Sequence, residues 1–141
     1  MSVLVDTLRT LVGPAHVLAT DADMAPFLTD WRGRYHGAAQ AVVRPGSTAE
    51  LAAVVAACAA AGVPMVPQGG NTGRCGGATP LGDGASVVIG LGRMNRVRQV
   101  DADNNTFCVE AGCTLAAVQA AADGCGRLFP LALASEGSCT I

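Results

Sequence analysis

Residues 67–77 read PQGGNTGRCGG, with five glycines, one proline and no large apolar side chain in eleven positions. Glycines let a backbone approach a ligand closely and turn successive N–H groups into one concavity, which suits phosphate oxygens. Asn71 and Thr72 add side-chain donors. A mobile surface loop is the plain alternative. Other chemistry is thinly supplied. The six cysteines contain no C-x-x-C pair and lie far in sequence from His16 and His36, so a zinc site is not expected. No Ser–His–Asp order is suggested. Cys75 lies inside the loop, where a redox or nucleophilic role is one reading and a small incidental residue the plainer one. His36, Asp101 and Asp103 read as structural or turn-forming residues.

The elements that must hold this loop follow from hydrophobic period. Leu4, Leu8, Leu11 and Val12 have helical spacing, and Gly13-Pro14 ends that helix. Residues 13–37 read as an irregular lead-in, with Trp31 and Tyr35 as anchors packing it onto the domain. Ala41-Val42-Val43 is a short strand. Ser47 and Glu50 form a capping box before a helix carrying Leu51, Val54, Val55 and Cys58, and Gly62 follows at its C-cap. Val63 to Pro67 is a second strand, short or near an edge because two prolines remove donors. The β-α-β order predicts parallel strands with a right-handed crossover. Further strands are predicted over 85–89, 97–100, 106–109 and 128–130. Thr114 is expected to cap a helix bearing Leu115, Val118 and Ala122.

Position excludes two common phosphate loops. A P-loop needs a lysine, and the chain has none. A dinucleotide fingerprint follows the first strand and opens a helix. Here the loop follows the second strand, and ATPLGDG at 78–84 has no helical period. Loop amides, rather than a helix N-terminus, are therefore expected to hold the anion. A side chain at Gly70 would then fill space that a phosphate needs.

Composition bounds the rest. The chain has 141 residues, is 50% hydrophobic and 14% charged, and has a formal net charge of −2. Its basic residues are all arginine, and they form no footprint for nucleic acid. Arg93, Arg96 and Arg98 read as a solvated face or a domain contact. No apolar run is long enough for a transmembrane helix, and MSVLVDTLRTLVG lacks a signal-peptide core. The expected location is cytoplasmic, with reduced thiols.

Six ordered blocks then resemble one family. They are DWRGRYHG at 30–37, VVRPGST at 42–48, VPQGGNTG at 66–73 with GG at 76–77, RMNRV at 93–97, VEAGC at 109–113 and PLALASEGSCTI at 130–141. Together they resemble the FAD domain of p-cresol methylhydroxylase-type (vanillyl-alcohol oxidase) flavoproteins, most of all the D-2-hydroxy-acid dehydrogenases of the hydroxyglutarate type. The resemblance implies an α+β fold with a small parallel β-α-β subdomain and the start of a second, mainly antiparallel one. Residues 1–36 are expected to form an N-terminal helix and irregular lead-in, and 37–141 an FAD-binding domain truncated at its C-terminal side.

It also implies a cofactor site of Pro67, Gly69, Gly70, Asn71, Thr72, Gly73, Gly112, Pro130, Gly137 and Ser138, with no catalytic or metal-binding residue in this chain. Asn71 stands where covalent relatives carry a histidine, which implies noncovalent FAD. Ala132, Ala134 and Glu136 depart from the family's usual aspartate, glycine and lysine. The implied reaction oxidises a D-2-hydroxy acid (hydroxyglutarate, lactate or glycolate) to the 2-oxo acid by hydride transfer to flavin N5. Substrate and electron acceptor would be met through a C-terminal part that 141 residues do not include. Alternatives are an inactive flavin-binding module and a cell-wall-precursor reductase.

Overall fold

A computed structural model describes residues 2–141. Helix α1 (Val3–Val12) is followed by a 3-10 turn at Pro14–His16, strand β1 (Val17–Leu18) and helix α2 (Asp21–Leu28). Strand β2 (Ala41–Val43), helix α3 (Thr48–Ala60), and strands β3 (Met65–Gln68) and β4 (Val87–Gly90) complete one layer system. Strands β5 (Val97–Asp101) and β6 (Thr106–Val109) and helix α4 (Leu115–Gly124) form the second part.

The four-stranded sheet runs β1-β2-β4-β3. Strands β2 and β3 each pair parallel with β4, so they are parallel to one another but not neighbours. The sheet is covered on both faces, which is why its strands read as continuous apolar runs. Ala41, Val43, Val87 and Ile89 point into a core shared with Leu4, Val5, Leu8 and Val12 of α1 and Val54 and Cys58 of α3. Val42, Val88 and Val66 face Met24, Phe27 and Leu28 of α2. Helix α1 thus packs into the main core.

Helix α3 is capped at both ends as its sequence suggests. Ser47 Oγ accepts from the Glu50 N–H at 3.1 Å, and Glu50 Oε2 accepts from the Gly46 N–H at 2.7 Å. At the far end Val63 N–H reaches the Cys58 carbonyl and Gly62 N–H the Ala59 carbonyl, a Schellman closure.

Two expectations need correction. The irregular lead-in over 13–37 contains β1 and α2. Thr20 Oγ1 accepts from the Asp23 N–H at 3.2 Å and starts α2, which continues through Pro26. Residues 128–130 form no strand. Pro130 has no N–H to donate, Leu128 is 79% exposed, and no strand lies alongside to pair with them among the described residues.

Strands β5 and β6 are antiparallel, as predicted, around a turn with Asn105 at φ 53°. The arginines beside them make a contact between the two parts. Arg98 donates to Thr48 Oγ1 at 2.8 Å, Arg93 donates to the Arg44 carbonyl at 2.6 Å, and Arg93 lies 3.6 Å from Glu50. Buried Glu110 receives Arg96 at 3.0 Å and Arg98 at 3.1 Å.

The Arg96 side chain, then the Arg96 backbone N–H, hold the Glu110 carboxyl down at about 2, against an ordinary 4.5, with burial opposing. A carboxyl lowered by folding stabilises fully above its unfolded pKa, and that contribution is lost as pH falls towards the folded value. Stability measured by circular dichroism is therefore expected to fall between about pH 4.5 and about 2. Glu110→Gln should weaken the fold at neutral pH and flatten this acid slope. An unchanged slope in the variant would remove Glu110 from the account. Asp30 and Asp101, also held low, supply the residual dependence.

Candidate functional site

The glycine loop leaves the carboxyl end of β3, and side chains from elsewhere in the fold fix it. Gln68, 2% exposed, donates its amide to the Phe27 carbonyl at 2.9 Å and the Ala78 carbonyl at 2.8 Å. It thereby ties both roots of the loop to the end of α2. Asn71 takes the left-handed conformation, φ 52°, which asparagine tolerates well. Its Nδ2 donates to the Thr29 carbonyl at 2.8 Å, so this amide is spent on the scaffold instead of on an anion.

The segment 30–37 supports the loop from the other side. Asp30, 4% exposed, accepts from the backbone N–H groups of Arg32, Arg34 and Tyr35 at 3.2, 2.6 and 2.7 Å. These bonds, Tyr35's first, lower its pKa despite burial. The knuckle so formed presents Trp31, whose indole N–H donates to the Gly73 carbonyl at 3.1 Å. It also presents Tyr35, whose ring lies under Gly76. Both rings anchor, as expected, but they anchor the loop, and each remains roughly half exposed. His36 has both nitrogens near acceptor or hydroxyl partners, Gly33 O at 3.0 Å and Thr29 Oγ1 at 3.3 Å, consistent with a structural role.

With the loop pinned in this way, its own amides stay free. From Gly69 through Ala78, no backbone N–H donates to any acceptor among the described residues. An uninterrupted run of unpaired donors is what a bound oxyanion satisfies.

Glycine is required at two of these positions because the 138–140 segment lies against them. A Cβ on Gly69 would strike Thr140 Oγ1, and one on Gly70 would strike the Ser138 carbonyl. The space beside Gly70 is thus filled in part by backbone, a refinement of the phosphate-only argument. Gly73 has open space around the position of a Cβ. Gly112 packs on the 91–94 turn, donating to the Met94 carbonyl at 2.8 Å, and a Cβ there would meet the Leu91 carbonyl.

Of the predicted cofactor residues, Gly69, Gly70, Gly112, Gly137 and Ser138 line one pocket of about 290 Å³ with Gly92, Asn95, Thr114 and Thr140. Thr72 lines a second pocket of about 440 Å³ with Trp31, Arg74, Ser135 and Cys139. Ser138 lines both, so the two are adjacent. Pro67 is exposed at the end of β3. Pro130 belongs elsewhere, to an apolar groove with Phe107, Val109, Val118 and Phe129. Sequence reasoning missed Gln68 as a brace and Asn95, Thr114 and Thr140 as lining. Only Gln68 carried a signal, being a polar residue ending an apolar strand. Among the described residues, no group of three His, Cys, Asp or Glu is placed to hold a metal ion. No helix there is long and apolar enough to cross a membrane.

A mixed sheet of three parallel strands and an antiparallel edge strand, sheathed by helices, with a second antiparallel part and a glycine cradle of free amides, makes a flavoprotein fold of the p-cresol methylhydroxylase type. Solved structures share it. Alkyldihydroxyacetonephosphate synthase superposes with a TM-score of 0.85 at 21% identity, over 97% of this chain and 27% of that one. p-Cresol methylhydroxylase gives 0.79 at 22%, over 97% and 27%. The chain belongs to the family described as the FAD binding domain, which matches residues 39–141.

Among curated proteins, D-2-hydroxyglutarate dehydrogenase of Xanthomonas citri pv. viticola is 38% identical over 129 residues, 91% of this chain and 27% of the relative. The mitochondrial D-2-hydroxyglutarate dehydrogenase of Arabidopsis thaliana is 32% identical over 133 residues, 94% and 23%. The chain spans about a quarter of the length of these relatives.

Proposed function

We propose that this chain forms the pyrophosphate-holding part of an FAD-dependent oxidoreductase that converts a D-2-hydroxy acid to its 2-oxo acid. The observation that carries the reading is the run of unpaired amides from Gly69 to Ala78, beside the pocket of Gly69, Gly70, Gly112 and Ser138. Those residues fit a diphosphate: they offer donors, no carboxylate lines the pocket, and its wall is open at Gly92 and Gly137, where nothing lies within 4 Å of a Cβ position. FAD, when bound, supplies the hydride acceptor; this chain's residues hold and orient it. The hydroxy-acid substrate rests on what the relatives are named for, with D-2-hydroxyglutarate ahead of D-lactate and glycolate.

Binding is noncovalent in this reading. Asn71 offers no nucleophilic ring nitrogen, and its amide is turned towards Thr29. Titration with FAD, followed by flavin fluorescence, should give a saturable change. Acid precipitation should then leave all flavin in the supernatant. No saturable change, or yellow precipitate, would overturn the respective claim.

A second reading is a binding module without turnover of its own. It draws on one observation: no carboxylate lines either pocket beside the loop, and Asp30, next to Trp31, is consumed by three backbone N–H groups. Assay with D-2-hydroxyglutarate, D-lactate and glycolate and an artificial electron acceptor separates the two. We also assign the protein to the cytoplasm, supported by six cysteines that carry no disulfide, although the plant relative is named as mitochondrial.

A further inference from the structure

Three arginine side chains, Arg32, Arg34 and Arg74, have neither a hydrogen bond nor an ion pair among the described residues, and all three lie on the 30–37 knuckle or the loop it supports. The other arginines are engaged: Arg93, Arg96 and Arg98 with carboxylates, Arg44 and Arg127 with backbone carbonyls, and Arg9 with Asp6. Arg32, Arg34, Arg44, Arg74 and Arg127 thus have no carboxylate partner among the described residues, and three of these five charges sit at one corner.

Arg34 lines a pocket with Cys75 and Gly76 of the glycine loop, whereas Arg74 lines the pocket that Ser138 joins to the glycine cradle. Its guanidinium carbon stands 6.0 Å from the centre of the Trp31 ring, and Arg32 stands 4.7 Å from the same ring. The ring contact holds the guanidinium in place without using its N–H donors. Trp31 is itself fixed through Gly73. Thr72, Ser135 and Ser138 supply hydroxyls to the same pocket of about 440 Å³, and no carboxylate lines it. Glu136 is exposed beside it but does not line it. Asp30, the nearest acid in sequence to Trp31, is saturated by the knuckle's own amides.

We propose that Arg74, steadied by Trp31, is an anion-recognition residue for a second oxyanion subsite, across Ser138 from the glycine cradle. A planar fork with all its donors free matches a carboxylate or phosphate in bidentate fashion. The oxyanion is either the carboxylate of a small organic acid or a phosphate of the cofactor. This rests on the flavin reading for its neighbour in the groove, but its test does not need flavin.

Trp31 is the chain's single tryptophan, so its fluorescence reports on this pocket directly. The experiment titrates the chain with inorganic pyrophosphate and, separately, D-2-hydroxyglutarate, against sodium chloride at matched ionic strength. Calorimetry runs alongside, and Arg74→Leu and the remote Arg127→Leu are compared with wild type. Arg74→Leu is expected to weaken one or both oxyanions about tenfold or more, with Arg127→Leu unchanged. Weakening of D-2-hydroxyglutarate alone assigns the subsite to an acid substrate, and of pyrophosphate alone to the cofactor. No saturable binding of either anion by wild type, or equal binding by Arg74→Leu, overturns the proposal. An FAD titration of the same variants keeps the readings apart: failure of wild type to bind FAD removes the flavin reading and leaves the anion result standing.

Discussion

Gly70→Val should lose flavin altogether and release the 138–140 segment from the glycine loop. Two effects add at this position. The new Cβ would fall on the Ser138 carbonyl, a backbone atom that moves only if the whole segment moves. The branches would also occupy the groove beside the free amides, where a phosphate must approach within hydrogen-bond distance. Loss of flavin alone would not separate the causes, so Gly73→Ala is the informative partner. Nothing lies within 4 Å of a Cβ there. It should melt within a few degrees of wild type yet bind FAD more weakly. If Gly70→Val retained flavin at wild-type affinity, the cradle would not be the phosphate site. If Gly73→Ala melted as low as Gly70→Val, the steric account of Gly70 would lose its basis.

Gln68→Leu is expected to produce the largest loss of stability outside the apolar core. Leucine is one atom shorter than glutamine, branches at Cγ and cannot donate. The carbonyls of Phe27 and Ala78 would each lose their Gln68 hydrogen bond beside a residue only 2% exposed. An unsatisfied buried acceptor costs about 1–3 kcal/mol, so the two together should cost about 2–4 kcal/mol after some relaxation. Chemical denaturation at neutral pH measures this directly. FAD affinity should fall with it, because Gln68 sets the spacing of the loop's roots. A destabilisation below about 0.5 kcal/mol would mean that water replaces the amide at no loss.

What the sequence made legible was local. The caps of α3, the β5–β6 hairpin and the helix after Thr114 depend on residues within a few positions of each other, and all are found. The glycine loop was recognisable because no packing role explains five glycines in eleven residues. What escaped was non-local or masked. Helix α2 was hidden by Pro26, which breaks the helical template although Thr20 and Asp23 cap it. Insertion of β4 between β2 and β3 leaves no mark on either strand. The partners of Gly69 and Gly70 lie about 70 residues onward, at Ser138 and Thr140, and no spacing rule links them. Trp31 was legible as an anchor, but its target, the Gly73 carbonyl 42 positions away, was not. Asn71 offers a donor amide in the sequence, and the structure turns it towards the Thr29 carbonyl.

Both rims of the four-stranded sheet discourage a visiting chain. On one side stands β1, two residues long. On the other stands β3, where the Pro64 carbonyl accepts from the Val87 N–H and the Gln68 carbonyl from the Leu91 N–H, so the alternate positions Met65 and Pro67 face outward. Proline has no N–H, which leaves Met65 as the sole ladder donor along that rim. A strand from another molecule would find too little to zip onto, and the apolar run Val63–Val66 is thereby kept from seeding cross-β aggregation. The proline one place before the end of β3 thus also blunts the edge that this strand presents.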